Sequence, residues 1–423
     1  MSEKQRALLV ISDFHLGPGE ASGEYESFNQ DKTFCNFLKF YQGIEEYKEV
    51  TLVINGDFFD SIQVSIDGLI PGRVYASDAL KKIKKIVNGH TAVFGALSRF
   101  VGEGRNKIIF VVGNHDPALA FFEVQVYLRE LLGQSTEFVL SEYADDRVRI
   151  AHGNNWDVAN QFEGDRILSV DKKGQYIKFP WGSYLVIDFV SKVRERVPDI
   201  DKIKPLGAFI RWSVFNRKKD ALITLVLFIK FFIKYRFHSY PDQRFTLSRV
   251  IKILRGACYS CDFIENAEEF FKNEKTGVLV AGHTHRALLH RFSHEQVYAN
   301  SGTWLPILVH REEGFTAHQH RTYIVIDRFA DGITMPRVRL MEWLDGNNPQ
   351  QYVPSFEDVH MHQPMRDTLL KSFYTAMVVW PVLMLVNNYS HVVRGDFGFI
   401  ISISSALTFL VPFMVSFVSR MSS

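Results

Sequence analysis

The feature that most constrains this 423-residue chain is an apolar, β-branched run that stops abruptly at an acidic residue. Residues 51–55 read Thr-Leu-Val-Ile-Asn and are followed at once by Gly56 and Asp57. The run predicts a short buried strand, and the glycine predicts the turn that ends it. In an open α/β sheet, ligands bind beyond the carboxyl ends of the strands, so Asp57 is placed for chemistry.

Four more strand-like runs end in residues of the same kind. They end at Asp13-Phe-His15, at Asn114-His115-Asp116, at His152-Gly and at Gly-His283-Thr-His285. We expect the five ends to converge on one cluster of Asp, Asn and His side chains. Oxygen ligands and imidazole together suit divalent metal ions, so the sequence predicts a metal centre.

The five motifs, in this order, resemble those of the calcineurin-like metallophosphoesterase superfamily: Asp-x-His, Gly-Asp-x-x-Asp, Gly-Asn-His-Asp, His-Gly and Gly-His-Thr-His. Each motif alone is a weak signal, but all five in order are a strong one. The resemblance covers roughly residues 5–155 and 275–345. It implies an α/β fold, the four-layer αββα sandwich of that superfamily.

The resemblance also implies two divalent metal ions, manganese above all and otherwise iron, zinc, nickel or magnesium. Carried over residue by residue, Asp13, His15, Asp57 and His285 would hold one ion, and Asp57, Asn114, His152 and His283 would hold the other. Asp57 would bridge them. Two metals about 3.5–4 Å apart activate a hydroxide and clamp the phosphoryl oxygens during in-line displacement.

His115 follows a ligand and is better placed to protonate the leaving oxygen, or to stabilise the developing charge, than to bind metal. Asp116 would orient His115, so both are predicted catalytic residues. Asp60 has two equal interpretations: it hydrogen-bonds a ligand histidine, or it caps the following turn.

Periodicity predicts βαβ units in the first part of the chain, with a strand over residues 8–12 and helices over 77–100 and 118–132. Later, residues 287–292 and 297–302 predict a hairpin. Runs at 323–327 and 333–343 are then expected to complete the second sheet. The predicted domains are residues 1–154 and 266–345 for the catalytic part, 155–265 for an insert, 346–367 for a linker and 368–423 for an anchor.

The insert departs from the family pattern and is basic. Residues 155–260 hold 20 Lys and Arg against 10 Asp and Glu, although the whole chain has a formal net charge of +2. This excess predicts an anionic partner.

Residues 221–229 are uncharged but too few to span a bilayer, so they predict either an interfacial amphipathic helix or a buried lid helix. Such a helical insert resembles the cap of UDP-2,3-diacylglucosamine diphosphatases, which commonly have Arg where this chain has His115.

The tail predicts a membrane anchor. Residues 397–418 carry no charge and are long enough for a transmembrane helix, and residues 372–386 predict a kinked first span or a buried helix. Flanking Arg366, Lys371 and Arg420 place the catalytic part on the cytoplasmic side. Three cysteines and no signal peptide agree with this compartment.

These features predict a metal-dependent hydrolase that cleaves a phosphate ester or diphosphate bond of an amphiphilic, lipid-linked or nucleotide-linked substrate. A phosphatase or phosphodiesterase for a soluble substrate, merely anchored to the membrane, is the first alternative. A non-catalytic scaffold with the same fold is the second. No specific nucleic-acid partner is expected.

Overall fold

The computed structural model of the chain describes residues 4–102, 104–145, 147–200, 202–204, 213, 216–238, 262–274, 276–311, 314–331, 334–344, 346 and 348–354. The chain divides into two compact units. Unit 1 comprises Met1–Lys202, Cys261–Leu308 and Ala317–His360, and unit 2 comprises Ile203–Ser260, Val309–Thr316 and Met361–Ser423.

The strands are β1 (Lys4–Ile11), β2 (Glu49–Asn55), β3 (Lys107–Val111), β4 (Thr136–Val139), β5 (Glu142–Asp145), β6 (Val148–Ala151), β7 (Leu168–Asp171), β8 (Gly174–Ile177), β9 (Ile203–Lys204), β10 (Val278–Ala281), β11 (Leu288–Arg291), β12 (Val297–Asn300), β13 (Ile307–Arg311), β14 (Gly314–His318), β15 (Thr322–Phe329), β16 (Arg337–Trp343) and β17 (Pro349–Gln351). The helices are α1 (Asp31–Gln42), α2 (Ala76–Gly89), α3 (Thr91–Gly102), α4 (Phe122–Leu132), α5 (Trp181–Leu185), α6 (Ser191–Arg194), α7 (Lys218–Ile233) and α8 (Ile264–Asn273).

Two mixed sheets form the frame of unit 1. The larger has the order β17-β16-β15-β1-β2-β3-β4, and its β1 to β4 run parallel. The smaller has the order β11-β12-β10-β6-β5, with β6, β10 and β12 parallel. The predicted α/β class is therefore confirmed, and so is the hairpin, which is formed by β11 and β12.

The two late strands are in a different sheet from the predicted one. Run 323–327 lies in β15, and run 333–343 contains β16. These strands extend the larger sheet because β15 pairs antiparallel with β1. Ile324 lies opposite Val10 in this pairing. The expectation that these runs complete the second sheet was wrong, because strand composition does not specify which free edge a strand joins.

Each sheet buries one face against the other sheet and one against helices. Val10, Val280 and Ile324 belong to one buried aliphatic cluster that links both sheets. The alternate residue Tyr323 points the other way, and its ring lies 4.9 Å from that of Phe37 in α1. Successive side chains of a strand point to opposite faces, so the larger sheet lies between the smaller sheet and the helices. On the smaller sheet, α8 packs its apolar face against β10 and β12.

The predicted helix over residues 77–100 is two helices, α2 and α3, because His90 leaves helical geometry with φ −126° and ψ 42°. This break places the buried imidazole between two carboxylates. Its Nδ1 lies 2.9 Å from Asp31 Oδ1, and its Nε2 lies 2.9 Å from Glu26 Oε2. Glu26 also accepts hydrogen bonds from the backbone of Gly17 and Gly19, so the contact ties the loop after β1 to the helices.

The His90 contact predicts a pH-dependent contribution to stability. Burial lowers the pKa of His90, but the hydrogen bonds and charges of Asp31 and Glu26 outweigh it and raise that pKa to about 9. The contribution is therefore fully present below the unfolded value of about 6.5 and is lost as pH rises through about 9, amounting to at most about 3 kcal/mol. Apparent melting temperatures of wild type and His90→Gln should differ clearly at pH 6 and converge near pH 10. The same difference at both pH values would contradict this prediction.

The insert contains strands as well as helices. It begins with the β7–β8 hairpin and continues through α5 and α6, joined by a π-helical turn at Val186–Val190. The helix predicted over residues 221–229 is part of α7 in unit 2. In α7, Phe231 is buried, whereas Leu222 and Val226 are 61% and 42% exposed.

Within the described ranges, none of the helices has the length and apolar character needed to cross a membrane. Both predicted transmembrane segments, at residues 372–386 and 397–418, lie outside the described residues.

Candidate metal centre

All seven predicted metal ligands lie in the turns that follow the carboxyl ends of strands. Asp13 and His15 follow β1, Asp57 follows β2, Asn114 follows β3, His152 follows β6, and His283 and His285 follow β10. The two sheets thus deliver the ligands from both sides of the aliphatic core to one edge.

The backbone at this edge is unusual. Among the described residues, seven that are not glycine have positive φ, and five of them are predicted ligands: Asp13, His15, Asp57, His283 and His285. Apart from glycine, Asp, Asn and His enter this region most often, and each such residue costs of order 1–3 kcal/mol. The fold thus maintains a strained conformation at the residues that would bind metal.

Two glycines let the strand ends approach closely. A Cβ on Gly113 would lie 2.2 Å from Asp57 Oδ1, and a Cβ on Gly56, whose φ is +79°, would lie 2.4 Å from His152 Nδ1. Any side chain at either position would displace Asp57 or His152. The motif glycines therefore make the cluster possible without contributing ligands.

One group of donor atoms comes from the turns after β1 and β10. His15 Nε2 and His285 Nε2 are 3.2 Å apart, and they lie 4.0 and 3.4 Å from Asp13 Oδ1. The backbone N–H of His283 donates to the other Asp13 oxygen at 2.9 Å, which fixes the carboxylate. These three side chains can ligate one ion.

A second group consists of Asp57, His152 and His283, whose donor atoms lie within 4.8 Å of one another. Asp57 Oδ2 is 3.2 Å from His152 Nε2 and 3.8 Å from His15 Nε2. One carboxylate oxygen of Asp57 thus lies between the two groups, as a bridging ligand must.

The unsatisfied polar atoms of the cluster fit divalent metals. Asp13 Oδ1, Asn114 Oδ1 and His152 Nε2 are buried and make no well-formed hydrogen bond with any described residue. Such atoms are costly unless something binds them. His152 Nδ1 donates to the Asn55 carbonyl at 2.8 Å, which leaves the Nε2 lone pair for a metal. The residues present therefore suit two divalent cations.

The electrostatics agree with this arrangement. Burial opposes ionisation of Asp57, but the charges of His152 and His115 hold its pKa well below the usual range. Burial lowers the pKa of His152, yet the Asp57 charge raises it to about 10. The carboxylate charge that attracts a proton to His152 also attracts a metal cation. Because a metal binds only the neutral imidazole ring, the cation would replace that proton.

His115 forms a pair with Asp60. His115 Nδ1 lies 3.0 Å from Asp60 Oδ1, and the His115 ring lies 4.5 Å from that of His15. His15, Asp60 and His115 also bring donor atoms within 4.8 Å, but the hydrogen bond already uses Nδ1 of His115. Asp60 therefore hydrogen-bonds a histidine, as in the first of its two interpretations. That histidine is His115, the predicted general acid, and not a metal ligand.

Asp116 was predicted to orient His115, and the structure places it elsewhere. Its carboxylate accepts the backbone N–H groups of Gly113 at 2.6 Å and Phe58 at 3.0 Å, and so joins two ligand-bearing turns. Burial and the nearby Asp57 charge raise the pKa of Asp116 to about 7. Asp60, not Asp116, contacts the His115 ring.

Sequence reasoning missed Asp157, which lies at the start of the insert. Its Oδ2 is 3.2 Å from His283 Nε2, while Ala159 N–H and the Asn160 amide hold the carboxylate at 2.9 and 2.7 Å. Since Asp157 occupies Nε2, His283 has Nδ1 left for a metal. No motif spacing indicates this contact, because the two residues are 126 positions apart.

We expect Asp157→Asn to weaken metal binding at one of the two positions by about 10–100-fold, the usual effect of losing a carboxylate that orients a ligand histidine. Competition with a chromogenic chelator measures this affinity. Asp199→Asn is the matched control, because Asp199 is 46% exposed and pairs with Lys202. Unchanged affinity in Asp157→Asn would show that His283 needs no such partner.

Comparisons with known proteins identify the family of this chain. Solved structures similar to it include a dimetal phosphatase from Danio rerio, at 10% identity and a TM-score of 0.31, covering 80% of this chain and 95% of that one. A single mutant of Vps29 from Entamoeba histolytica matches at 9% identity and a TM-score of 0.27, covering 82% and 99%. A search of curated proteins found no match. The calcineurin-like phosphoesterase family model matches residues 7–287, about two thirds of the sequence, and this chain therefore belongs to the calcineurin-like phosphoesterase family.

Proposed function

We propose that this metal-dependent phosphoesterase hydrolyses a phosphate ester or diphosphate bond in an amphiphilic substrate held at a membrane surface, with its catalytic part on the cytoplasmic side. The observation that supports the hydrolytic part of the proposal is the position of Asp57, whose Oδ2 lies between two groups of candidate ligand atoms, among them the unsatisfied Asp13 Oδ1 and His152 Nε2. Manganese is the proposed metal.

The position of each residue in the site indicates its role in hydrolysis. Bound divalent ions supply Lewis-acid polarisation of the phosphoryl group and an activated water nucleophile. Asp57 fixes the spacing of the two groups, and its Oδ1 accepts the backbone N–H of His115 at 2.7 Å. The catalytic histidine is thereby held at a set position beside the ligand cluster.

His115 is the proposed general acid. Burial lowers the pKa of His115, but the charges of Asp57 and Asp60 outweigh it and raise that pKa to about 9. The charges of these two carboxylates therefore favour the protonated ring. With Nδ1 bound to Asp60, Nε2 remains to protonate the leaving oxygen.

An exposed apolar surface on α7 supports the amphiphilic substrate. Leu222 and Val226 are one helical turn apart on one side of α7, and Lys230, one turn further, is also exposed. Apolar residues beside a lysine suit contact with lipid and an anionic headgroup. The basic charge of residues 155–260 adds to this attraction.

Replacing Leu222 and Val226 with Asp tests the substrate class. We expect the Michaelis constant for vesicles carrying a nucleotide-linked lipid diphosphate to rise about tenfold or more, since apolar contacts of this size contribute over about 1.4 kcal/mol. Hydrolysis of bis(4-nitrophenyl) phosphate should stay unchanged, because a small ester does not use this surface. Mass spectrometry of the products identifies the bond cleaved.

Phe122→Asp is the matched control for this test, because Phe122 is 71% exposed in unit 1. Equal loss on both substrates would indicate a folding defect. No loss on either, at unchanged thermal stability, would favour a soluble substrate.

A further inference from the structure

A chain of polar contacts connects the insert to the His115–Asp60 pair. Asp60 Oδ1 faces His115, and Asp60 Oδ2 accepts a hydrogen bond from Gln63 Nε2. Gln63 Oε1 in turn accepts a hydrogen bond from Arg194 Nη1 at 2.6 Å. Arg194 is the last residue of α6, which lies in the insert, 131 positions from Gln63 in the sequence.

The chemistry of Arg194 fixes the direction of these contacts. A guanidinium only donates hydrogen bonds, so the oxygen of the Gln63 amide must face Arg194. The NH₂ group of Gln63 then faces Asp60, which must accept. The other oxygen of Asp60 lies 3.0 Å from His115 Nδ1, so an Asp60 carboxylate accepts the Nδ1 proton and leaves Nε2 as the ring atom that can donate a proton elsewhere.

Arg194 is itself held in place. It is 9% exposed, and its guanidinium carbon lies 3.5 Å from the centre of the Tyr25 ring, close enough for a cation–π contact. Tyr25 belongs to the loop after β1, the same loop that Glu26 and His90 secure. A residue of the insert is thus packed firmly between that loop and Gln63.

We infer that Arg194, acting through Gln63, is a positioning residue that orients the Asp60–His115 pair for proton donation, so that the insert contributes to catalysis as well as to substrate binding. This inference rests on the proposed function. Arg194 acts on the pair through Gln63, which accepts its hydrogen bond, and is held by its contact with Tyr25. Its effect is confined to reactions in which the leaving oxygen needs a proton.

The test compares an ester whose leaving oxygen needs a proton with one whose leaving oxygen does not. A 4-nitrophenolate leaves without a proton, whereas phenolate is a poorer leaving group and benefits from one. For Arg194→Met and for Gln63→Met, we expect kcat for phenyl phosphate esters to fall about 10–100-fold. For 4-nitrophenyl phosphate esters, kcat should change less than about threefold. The Michaelis constants should stay the same for both kinds of ester. Arg194→Lys should recover part of the loss, because it restores one donor and the charge.

Two controls separate positioning from folding. Arg196→Met changes an exposed arginine of the same segment and should leave both rates unchanged. Adding Arg194→Met to His115→Ala should cause no further loss, since the positioned group is gone.

Equal losses on both esters, or an additive loss in the double variant, would overturn the inference while leaving the proposed function intact. If the manganese-loaded wild type hydrolyses neither ester and does not hydrolyse the lipid diphosphate, the proposed function fails and the inference falls with it.

Discussion

Asp57→Ala is expected to lose both metal ions and all measurable hydrolysis, a larger effect than the roughly 10²–10⁴-fold cost of losing a general acid. The reason is the position of Asp57 Oδ2, which lies 3.8 Å from His15 Nε2 in one ligand group and 3.2 Å from His152 Nε2 in the other. Removing a shared carboxylate leaves each group with one ligand fewer and no negative charge between them.

Metal content per chain, measured by mass spectrometry after dialysis, decides this prediction. Asp57→Asn is the gentler variant, because its side-chain oxygen can still accept the backbone N–H of His115 while the charge is lost. Asp67→Ala, which changes an exposed aspartate, should keep both ions. A full complement of two ions in Asp57→Ala would disprove the bridging role.

His115→Ala is expected to keep both metal ions and lose about 10²–10⁴-fold in kcat on esters with poor leaving groups. The Nδ1 atom of His115 is already bound to Asp60 at 3.0 Å, so its role is proton donation from Nε2 and not ligation. The matched control is His294→Ala, which alters an exposed histidine.

Two results would contradict this role for His115. Loss of one metal ion from His115→Ala would make His115 a ligand. An equal loss of kcat on good and poor leaving groups would remove proton donation from its function.

The site could be predicted from the sequence because its residues follow apolar strands that are recognisable locally. Residues 51–54 and 278–281 are continuous apolar or β-branched runs, and the turns after them contain residue types that tolerate positive φ. The residues that predict each strand and the turn after it therefore lie within a few positions of each ligand.

Contacts between distant segments could not be predicted. Asp157 and Arg194 lie in an insert without a family pattern, and they reach partners 126 and 131 positions away. Both partnerships depend on how the insert packs, and no periodicity in the sequence reports packing between separate loops. The roles of Asp60 and Asp116 were open or misassigned for the same reason, since two adjacent turns decide which carboxylate meets His115.

Two parts of the fold were predicted wrongly although their local sequence patterns are strong. Residues 77–100 have a helical pattern, yet α2 ends at Gly89, and the side chain of the next residue, His90, is buried against Asp31 and Glu26. Residues 323–327 predict a strand but not its partner, and the free edge of β1 decides it. In both cases the local pattern does not report the tertiary contacts that the segment makes.

Anomalous diffraction from crystals of the manganese-loaded protein tests the central claim most directly. The account predicts two peaks per chain, one contacted by Asp13, His15 and His285 and the other by Asn114, His152 and His283, with Asp57 contacting both. A single peak, or two peaks of which Asp57 contacts only one or neither, would contradict it.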